Sequence, residues 1–172
     1  MTRKVLPTAV ALVLAIAPLS GLQSGPPGDG DIRTTRDPST NESVTTLTLM
    51  LSGPKGSLPV NLGFAGVRAA GASAVSKIRI DVNMGLFVGE LDTKTPHVVF
   101  MLDRSSRTVE ASVDASTVLP GRKFIQVPFD AGRLRSLASA ANVSGRVFGV
   151  DFVLTARQIT AIKEFAAKVA PR

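Results

Sequence analysis

Hydrophobic and polar residues alternate along much of the chain after residue 44, which is the pattern of half-buried β-strands. The clearest run is Leu47, Leu49 and Leu51, separated by Thr48 and Met50. Alternation by twos places apolar side chains on one face of a strand and polar side chains on the other. The same alternation recurs in three other stretches, at residues 77–84, 108–114 and 148–154. The sequence therefore predicts a β-rich domain.

Other apolar stretches predict additional strands and the connections between them. Shorter candidates lie at residues 59–64, 86–91 and 123–127. Val98–Leu102 is continuously apolar, which predicts a central strand covered on both faces. Residues 103–107 are polar and predict the turn of an antiparallel hairpin that continues with a strand near Thr108. Residues 63–71 contain three glycines and predict a flexible connection between strands.

Two late segments have helical periodicity. Asp130 is a candidate N-cap for a helix that continues to Asn142. Thr155 and Gln158 have the spacing of a capping box, and the apolar residues that follow them fall on one stripe of a helix. The sequence thus predicts a mainly β or α+β fold, in which an antiparallel, β-sandwich-like sheet carries one or two C-terminal amphipathic helices.

The beginning of the chain has the order of a secretory signal. The first four residues carry two positive charges, and residues 5–17 are apolar and uncharged. We assign residues 1–24 to a signal peptide, residues 25–43 to a flexible leader and residues 44–172 to a single β-rich globular domain. This organisation predicts a periplasmic or secreted protein. The alternative is an uncleaved apolar segment that anchors the protein in the membrane.

Composition narrows the classes of function. The 172 residues include no cysteine, which excludes disulfides, thiol catalysis and cysteine metal sites. Tryptophan and tyrosine are also absent, and these residues often anchor binding sites and stack on bases. The formal net charge is +7, but the basic residues are dispersed along the chain. We therefore expect no nucleic-acid partner, no cofactor and no metal.

One histidine and two carboxylates are the candidate catalytic residues. His97 is the single histidine of the sequence and is a candidate general base. Glu90 and Asp92 are two residues apart, so on a strand they would share a face and could assist His97. The sequence has no Gly-x-Ser-x-Gly motif to supply a nucleophile. The alternative is that all three residues lie at exposed strand ends.

Four basic residues are the candidate ligand-binding residues. Lys77 and Arg79 lie on one predicted strand, and Arg104 and Arg107 lie in the predicted turn. Arginine side chains bind phosphate and carboxylate groups in a forked geometry. We expect neighbouring strands to bring these four residues together, where they would bind an anionic ligand.

The interpretation that follows is an exported, non-enzymatic binding module whose partner is an envelope component or another protein. One alternative is a small periplasmic or secreted hydrolase that uses His97. Another is a structural subunit of a surface assembly, in which an exposed edge strand pairs with a neighbouring molecule. In all three, contact with a membrane would come only through an uncleaved N-terminus.

Overall fold

The computed structural model describes residues 28–51, 60–83, 98–103, 108–111, 124–147 and 149–171. Nine strands and two helices lie in these ranges. The strands are β1 (Ile32–Arg36), β2 (Ser43–Leu51), β3 (Val60–Arg68), β4 (Lys77–Asn83), β5 (Val98–Leu102), β6 (Thr108–Ala111), β7 (Phe124–Phe129), β8 (Val143–Val147) and β9 (Val150–Val153). The helices are α1 (Ala131–Ser139) and α2 (Ala156–Val169).

The described strands form two antiparallel sheets. The five-stranded sheet has the order β1-β2-β3-β4-β7, and the four-stranded sheet has the order β6-β5-β8-β9. The expected hairpin between β5 and β6 is present and antiparallel. The predicted fold class, mainly β and sandwich-like with a C-terminal helix, is confirmed.

A cluster of phenylalanine side chains joins the two sheets and α2 into one core. The ring of Phe64 in β3 lies 6.2 Å from that of Phe100 in β5 and 6.1 Å from that of Phe165 in α2. Phe100 also packs edge-on against Phe152 of β9, with 5.9 Å between the ring centroids. Both sheets and the C-terminal helix therefore bury their apolar faces against one another, as a two-layer domain requires.

Both helices begin at the predicted N-caps. The Asp130 carboxylate accepts the backbone N–H of Arg133 at 2.7 Å, and α1 starts directly after Asp130. It ends at Ser139, three residues before the predicted end. Thr155 and Gln158 form the predicted capping box at the start of α2. Within the described ranges, no helix has the length and apolar character that crossing a membrane demands.

Hydrogen bonds of the Gln158 side chain also connect the start of the described chain to α2. Gln158 is 3% exposed, and its Nε2 donates to the Asp29 carboxylate at 2.9 Å and to the Met50 carbonyl at 3.0 Å. The same carboxylate oxygen of Asp29 accepts the backbone N–H of Met50 at 2.8 Å. One buried amide therefore links the segment before β1, strand β2 and helix α2.

The prediction of a flexible leader at residues 25–43 is wrong for the part that the structure describes. Residues Ile32–Arg36 form β1, and all five pair with β2 in antiparallel register. A turn follows, in which the Asp37 carboxylate accepts the hydroxyl of Ser39 at 2.6 Å. An edge strand needs a partner on one side only, so a polar Arg/Thr sequence can form it without an apolar pattern. The domain therefore begins before Val44.

Two predictions about strands are also wrong. Residues 63–71 were expected to be a flexible connection, but β3 runs through them to Arg68 and is the middle strand of its sheet. Strand β5 was expected to be covered on both faces, but Met101 is 41% exposed and the strand buries one face. Single exposed apolar residues are common on protein surfaces, so a continuous apolar run does not require burial on both sides. The predicted strand at 86–91 lies outside the described residues.

Candidate functional site

Half of the predicted ligand-binding set and none of the predicted catalytic set lie within the described residues. The candidate catalytic residues outside them are Glu90, Asp92 and His97. Arg104 and Arg107 also lie outside the described residues, whereas Lys77 and Arg79 lie in β4. In the part of the chain that the structure describes, no three potential metal ligands lie together.

The strands that carry or flank the four basic residues belong to different sheets. Lys77 and Arg79 belong to β4, which pairs with β3 and β7 in the five-stranded sheet. In the sequence, Arg104 and Arg107 lie between β5 and β6, which belong to the other sheet. The strands that carry or flank these residues are therefore not neighbours in one sheet, and the proximity of the four side chains stays a prediction because Arg104 and Arg107 lie outside the described residues.

Lys77 and Arg79 lie on the outer face of the five-stranded sheet. In β4, Ile78 and Ile80 are buried in the core, and the intervening residues lie on the opposite face. The side chains of Arg79 and Asp81 on that face are 23% and 29% exposed. The helices and the four-stranded sheet pack on the other side, where the phenylalanine cluster lies.

The strand register arranges this outer face as two adjacent rows across the sheet. Thr46, Ala65 and Arg79 are paired across β2, β3 and β4, and Thr48, Gly63 and Asp81 form the next row. Arg33 of β1 extends the first row opposite Thr46, and the Asp31 carbonyl accepts the Thr48 N–H at 3.1 Å beside the second. We call this surface the Arg–Asp face, and it comprises Asp31, Arg33, Thr46, Thr48, Gly63, Ala65, Arg79 and Asp81.

Each arginine of the Arg–Asp face is paired with an aspartate of the other row. Arg79 Nε lies 2.9 Å from Asp81 Oδ1, and Arg33 Nη2 lies 3.2 Å from Asp31 Oδ2. A backbone N–H from Gly28, and then the Arg33 guanidinium, hold the pKa of Asp31 below its ordinary value. The two arginines are three strand spacings apart, or about 14 Å. The face therefore alternates in charge and is not a simple basic patch.

Among the described residues, no contact requires glycine at position 63, at the centre of the Arg–Asp face. Its φ is outside the left-handed region, and an added Cβ would make ordinary contacts, the nearest at 3.4 Å from the Asp81 carbonyl. Two other strand glycines differ. A Cβ at Gly66 would lie 2.8 Å from Val169, and one at Gly145 would lie 2.7 Å from Phe152. Packing explains those two glycines but does not explain Gly63.

Three surface depressions formed by described residues lie away from the centre of the Arg–Asp face. One of about 530 Å³ lies between β6 and the start of α1 and includes Glu110, Asp130 and Arg133. The Asp130 carboxylate in it is already occupied, because it caps α1 and lies 3.1 Å from the Arg133 guanidinium. A second, of about 420 Å³, separates α1 from α2 and has a largely alanine floor. The third, of about 350 Å³, adjoins the start of α1 and includes Lys77.

Comparison with known proteins gives no match. No protein-family model, no curated protein and no solved structure matches this chain. The function is therefore argued from the geometry of the Arg–Asp face.

Proposed function

We propose that this protein is an exported, non-enzymatic binding module that docks a protein partner on the Arg–Asp face. The observation that carries the proposal is Gly63. Glycine inside a strand weakens the strand by roughly 0.5–1 kcal/mol relative to alanine. It often marks a place where a ligand or another chain approaches the backbone closely. Since neither backbone conformation nor packing requires glycine at this position, close approach by a partner is the remaining structural reason for it.

The shape of the surface favours a protein over a small molecule. Small-molecule sites are concave and enclose most of the ligand. None of the three depressions is lined by Thr46, Gly63 or Arg79. Gly63 is partly exposed on β3 and lies between Thr48 on one side and Asp81 on the other, whereas the neighbouring Ala65 is fully buried. A sheet face that lies outside these depressions suits the contact area of a protein interface better than the enclosed site that a small molecule needs.

The charge pattern favours a partner that carries both signs. Arg79 was expected to bind an anionic ligand, but Asp81 lies 2.9 Å from its guanidinium. A simple anion on Arg79 would lie beside that carboxylate and be repelled by it. A protein surface with its own alternating charges can complement both rows at once, which is how charged interfaces gain specificity.

The proposal of export rests on the order of the first residues, in which two positive charges precede the apolar run of residues 5–17. The proposal of a non-enzymatic role rests on what the described polar groups do. The Asp130 carboxylate caps α1, and the Gln158 amide is occupied by backbone and carboxylate partners. These groups have structural roles, whereas the paired arginines and aspartates of the Arg–Asp face are partly exposed.

Crosslinking from each of the two sheet faces tests the proposal. A benzophenone amino acid is introduced at Asn61, an exposed residue of β3 beside the Arg–Asp face, and separately at Met101, which is exposed on the outer face of the other sheet. Irradiation of the cells that normally make the protein should give a discrete protein adduct from position 61 and none from position 101. Equal adducts from both positions, or no adduct from position 61, would refute docking on this face.

A further inference from the structure

We infer that the partner on the Arg–Asp face is a second copy of this chain, bound face to face about a two-fold axis perpendicular to the strands. The inference rests on the proposed function, because it identifies the protein that the Arg–Asp face docks. A two-fold interface brings the same patch of both copies together, so the patch must be complementary to itself. The two rows of the Arg–Asp face meet that condition.

The charges of the two rows are exchanged by this axis. If the axis runs between the rows, each residue of the arginine row lies opposite the residue of the aspartate row on the same strand of the other copy. Arg79 then faces Asp81 of the second copy, and Asp81 faces its Arg79. Arg33 and Asp31 at the β1 edge are related in the same way. The dimer contains four arginine–aspartate contacts between copies, with no like charges opposed.

The charges also select this orientation over the other two-fold arrangement in the plane of the sheet. A two-fold axis parallel to the strands would place β1 of one copy over β4 of the other. Each row would then lie over the same row of the second copy. Arg33 would then face Arg79 of the second copy, and Asp31 would face its Asp81. Like charges opposed across an interface are strongly unfavourable, so that arrangement is excluded.

The residues that flank the two charged rows along the strands are also compatible with the proposed two-fold axis. Met50 is 45% exposed at one end of the face, and the axis places it over Val44 of the second copy, at the other end of β2. Lys77 is placed over Asn83 of the second copy, so its charge meets a neutral amide. At the centre, Gly63 lies over Ala65 of the second copy. Ala65 is fully buried within its own copy, so Gly63 is the residue of this pair that is available for contact.

The sheet is large enough for a specific dimer. Strands β2 and β3 have nine residues each and β4 has seven. Strands of nine residues are about 30 Å long, and five strands span about 24 Å, so one face offers at most about 700 Å². Standard protein interfaces bury about 600–1,000 Å² on each partner, so the face reaches only the lower part of this range. The complete face, and not one edge of it, must therefore take part.

Reversal of one charge pair tests both the partner and the orientation. In Arg79→Asp, like charges oppose one another at two symmetric sites, and we expect the dissociation constant to rise by about 100-fold, or about tenfold per site. In Arg79→Asp/Asp81→Arg, the pair within each copy and the pairs between copies are both restored. The double variant should dimerise with itself as the native protein does, but it should not form mixed dimers with native chains.

The assay is sedimentation equilibrium of the full chain as isolated from its producing cells, followed by native mass spectrometry of mixed samples. The matched control is Arg146→Asp, which breaks the Arg146–Asp151 pair, 2.7 Å in length, on the exposed face of the other sheet. This control must leave the dimer unchanged. Circular dichroism establishes that each variant is folded before its association is measured.

A native chain that stays monomeric up to about 1 mM contradicts the inference. So does a monomeric double variant, or a double variant that mixes freely with native chains. Weakening of the dimer by Arg146→Asp to the same extent as by Arg79→Asp also contradicts it. The mass of the adduct from position 61 separates the two proposals. An adduct with a different protein would support docking on the Arg–Asp face but contradict the inference that the partner is a second copy. The absence of any adduct would contradict both proposals.

Discussion

Replacement of Gln158 by leucine should remove the polar link between α2 and the first strands. The native side chain accepts the Thr155 N–H at 2.9 Å and donates to the Asp29 carboxylate and the Met50 carbonyl. Leucine has a similar volume, so most of the packing around this 3% exposed position is retained. The loss of stability therefore measures the contribution of the hydrogen bonds of the Gln158 side chain.

The size of the effect follows from those three bonds. A hydrogen bond between neutral groups contributes about 1 kcal/mol, and one to a charged group contributes about 2 kcal/mol. Two of the bonds of Gln158 are to backbone groups and one is to the Asp29 carboxylate. We expect Gln158→Leu to lower the free energy of unfolding by about 4 kcal/mol. For a chain of this length that corresponds to a fall of about 10 °C in Tm.

Urea unfolding followed by far-UV circular dichroism measures this change, since the sequence has neither tryptophan nor tyrosine for fluorescence. Lys163→Leu, at an exposed position of the same helix, is the matched control and should change stability by less than about 0.5 kcal/mol. The double variant Asp29→Ala/Gln158→Leu should lose less free energy of unfolding than the sum of the two single variants, because both single changes break the same hydrogen bond. A loss below about 1 kcal/mol for Gln158→Leu would refute the structural role assigned to this amide.

Two further predictions concern stability. Gly66→Ala places a Cβ 2.8 Å from Val169 of α2 and should lower the free energy of unfolding by about 1–3 kcal/mol in the same urea assay; an unchanged value would contradict the packing of α2 on β3. Hydrogen bonds within its turn lower the pKa of Asp37, and the Arg146 guanidinium lowers the pKa of Asp151. Because these pKa values are lower in the folded state, their stabilisation is present above the unfolded value of 3.8 and is lost as the pH falls through the folded values. Urea midpoints should therefore fall between about pH 5 and about pH 2, and constant midpoints would contradict this.

The sequence predicts strands well where burial is one-sided. Leu47, Leu49 and Leu51 alternate with polar residues because one face of β2 lies in the core. The same reasoning does not find β1, whose Arg/Thr sequence has no apolar alternation and whose stability comes from pairing with β2. It finds only the first part of β3, at residues 59–64, because Gly63 and Gly66 interrupt the apolar pattern. Gly66 is explained only by the nearby Val169, a contact between residues far apart in sequence.

The candidate site was predictable only in part for the same reason. The alternation in β4 places Lys77 and Arg79 on one polar face, and the structure agrees. The opposite charges at Arg79 and Asp81, two residues apart, were a local signal of the ion pair. The position of Gly63 between Thr48 and Asp81 depends on the register of three strands. No local pattern in the sequence specifies that register.

The most direct test of the binding role is the yield of the position 61 crosslink in Gly63→Thr. Threonine is a better strand residue than glycine, so the free energy of unfolding should stay the same or rise by up to about 1 kcal/mol. The added side chain projects from the centre of the Arg–Asp face, and the adduct should fall by about tenfold or more. Ser144→Thr, on the exposed face of the other sheet, should leave the adduct unchanged. A folded Gly63→Thr protein that crosslinks as efficiently as the native chain would contradict the proposal that a partner docks on this face.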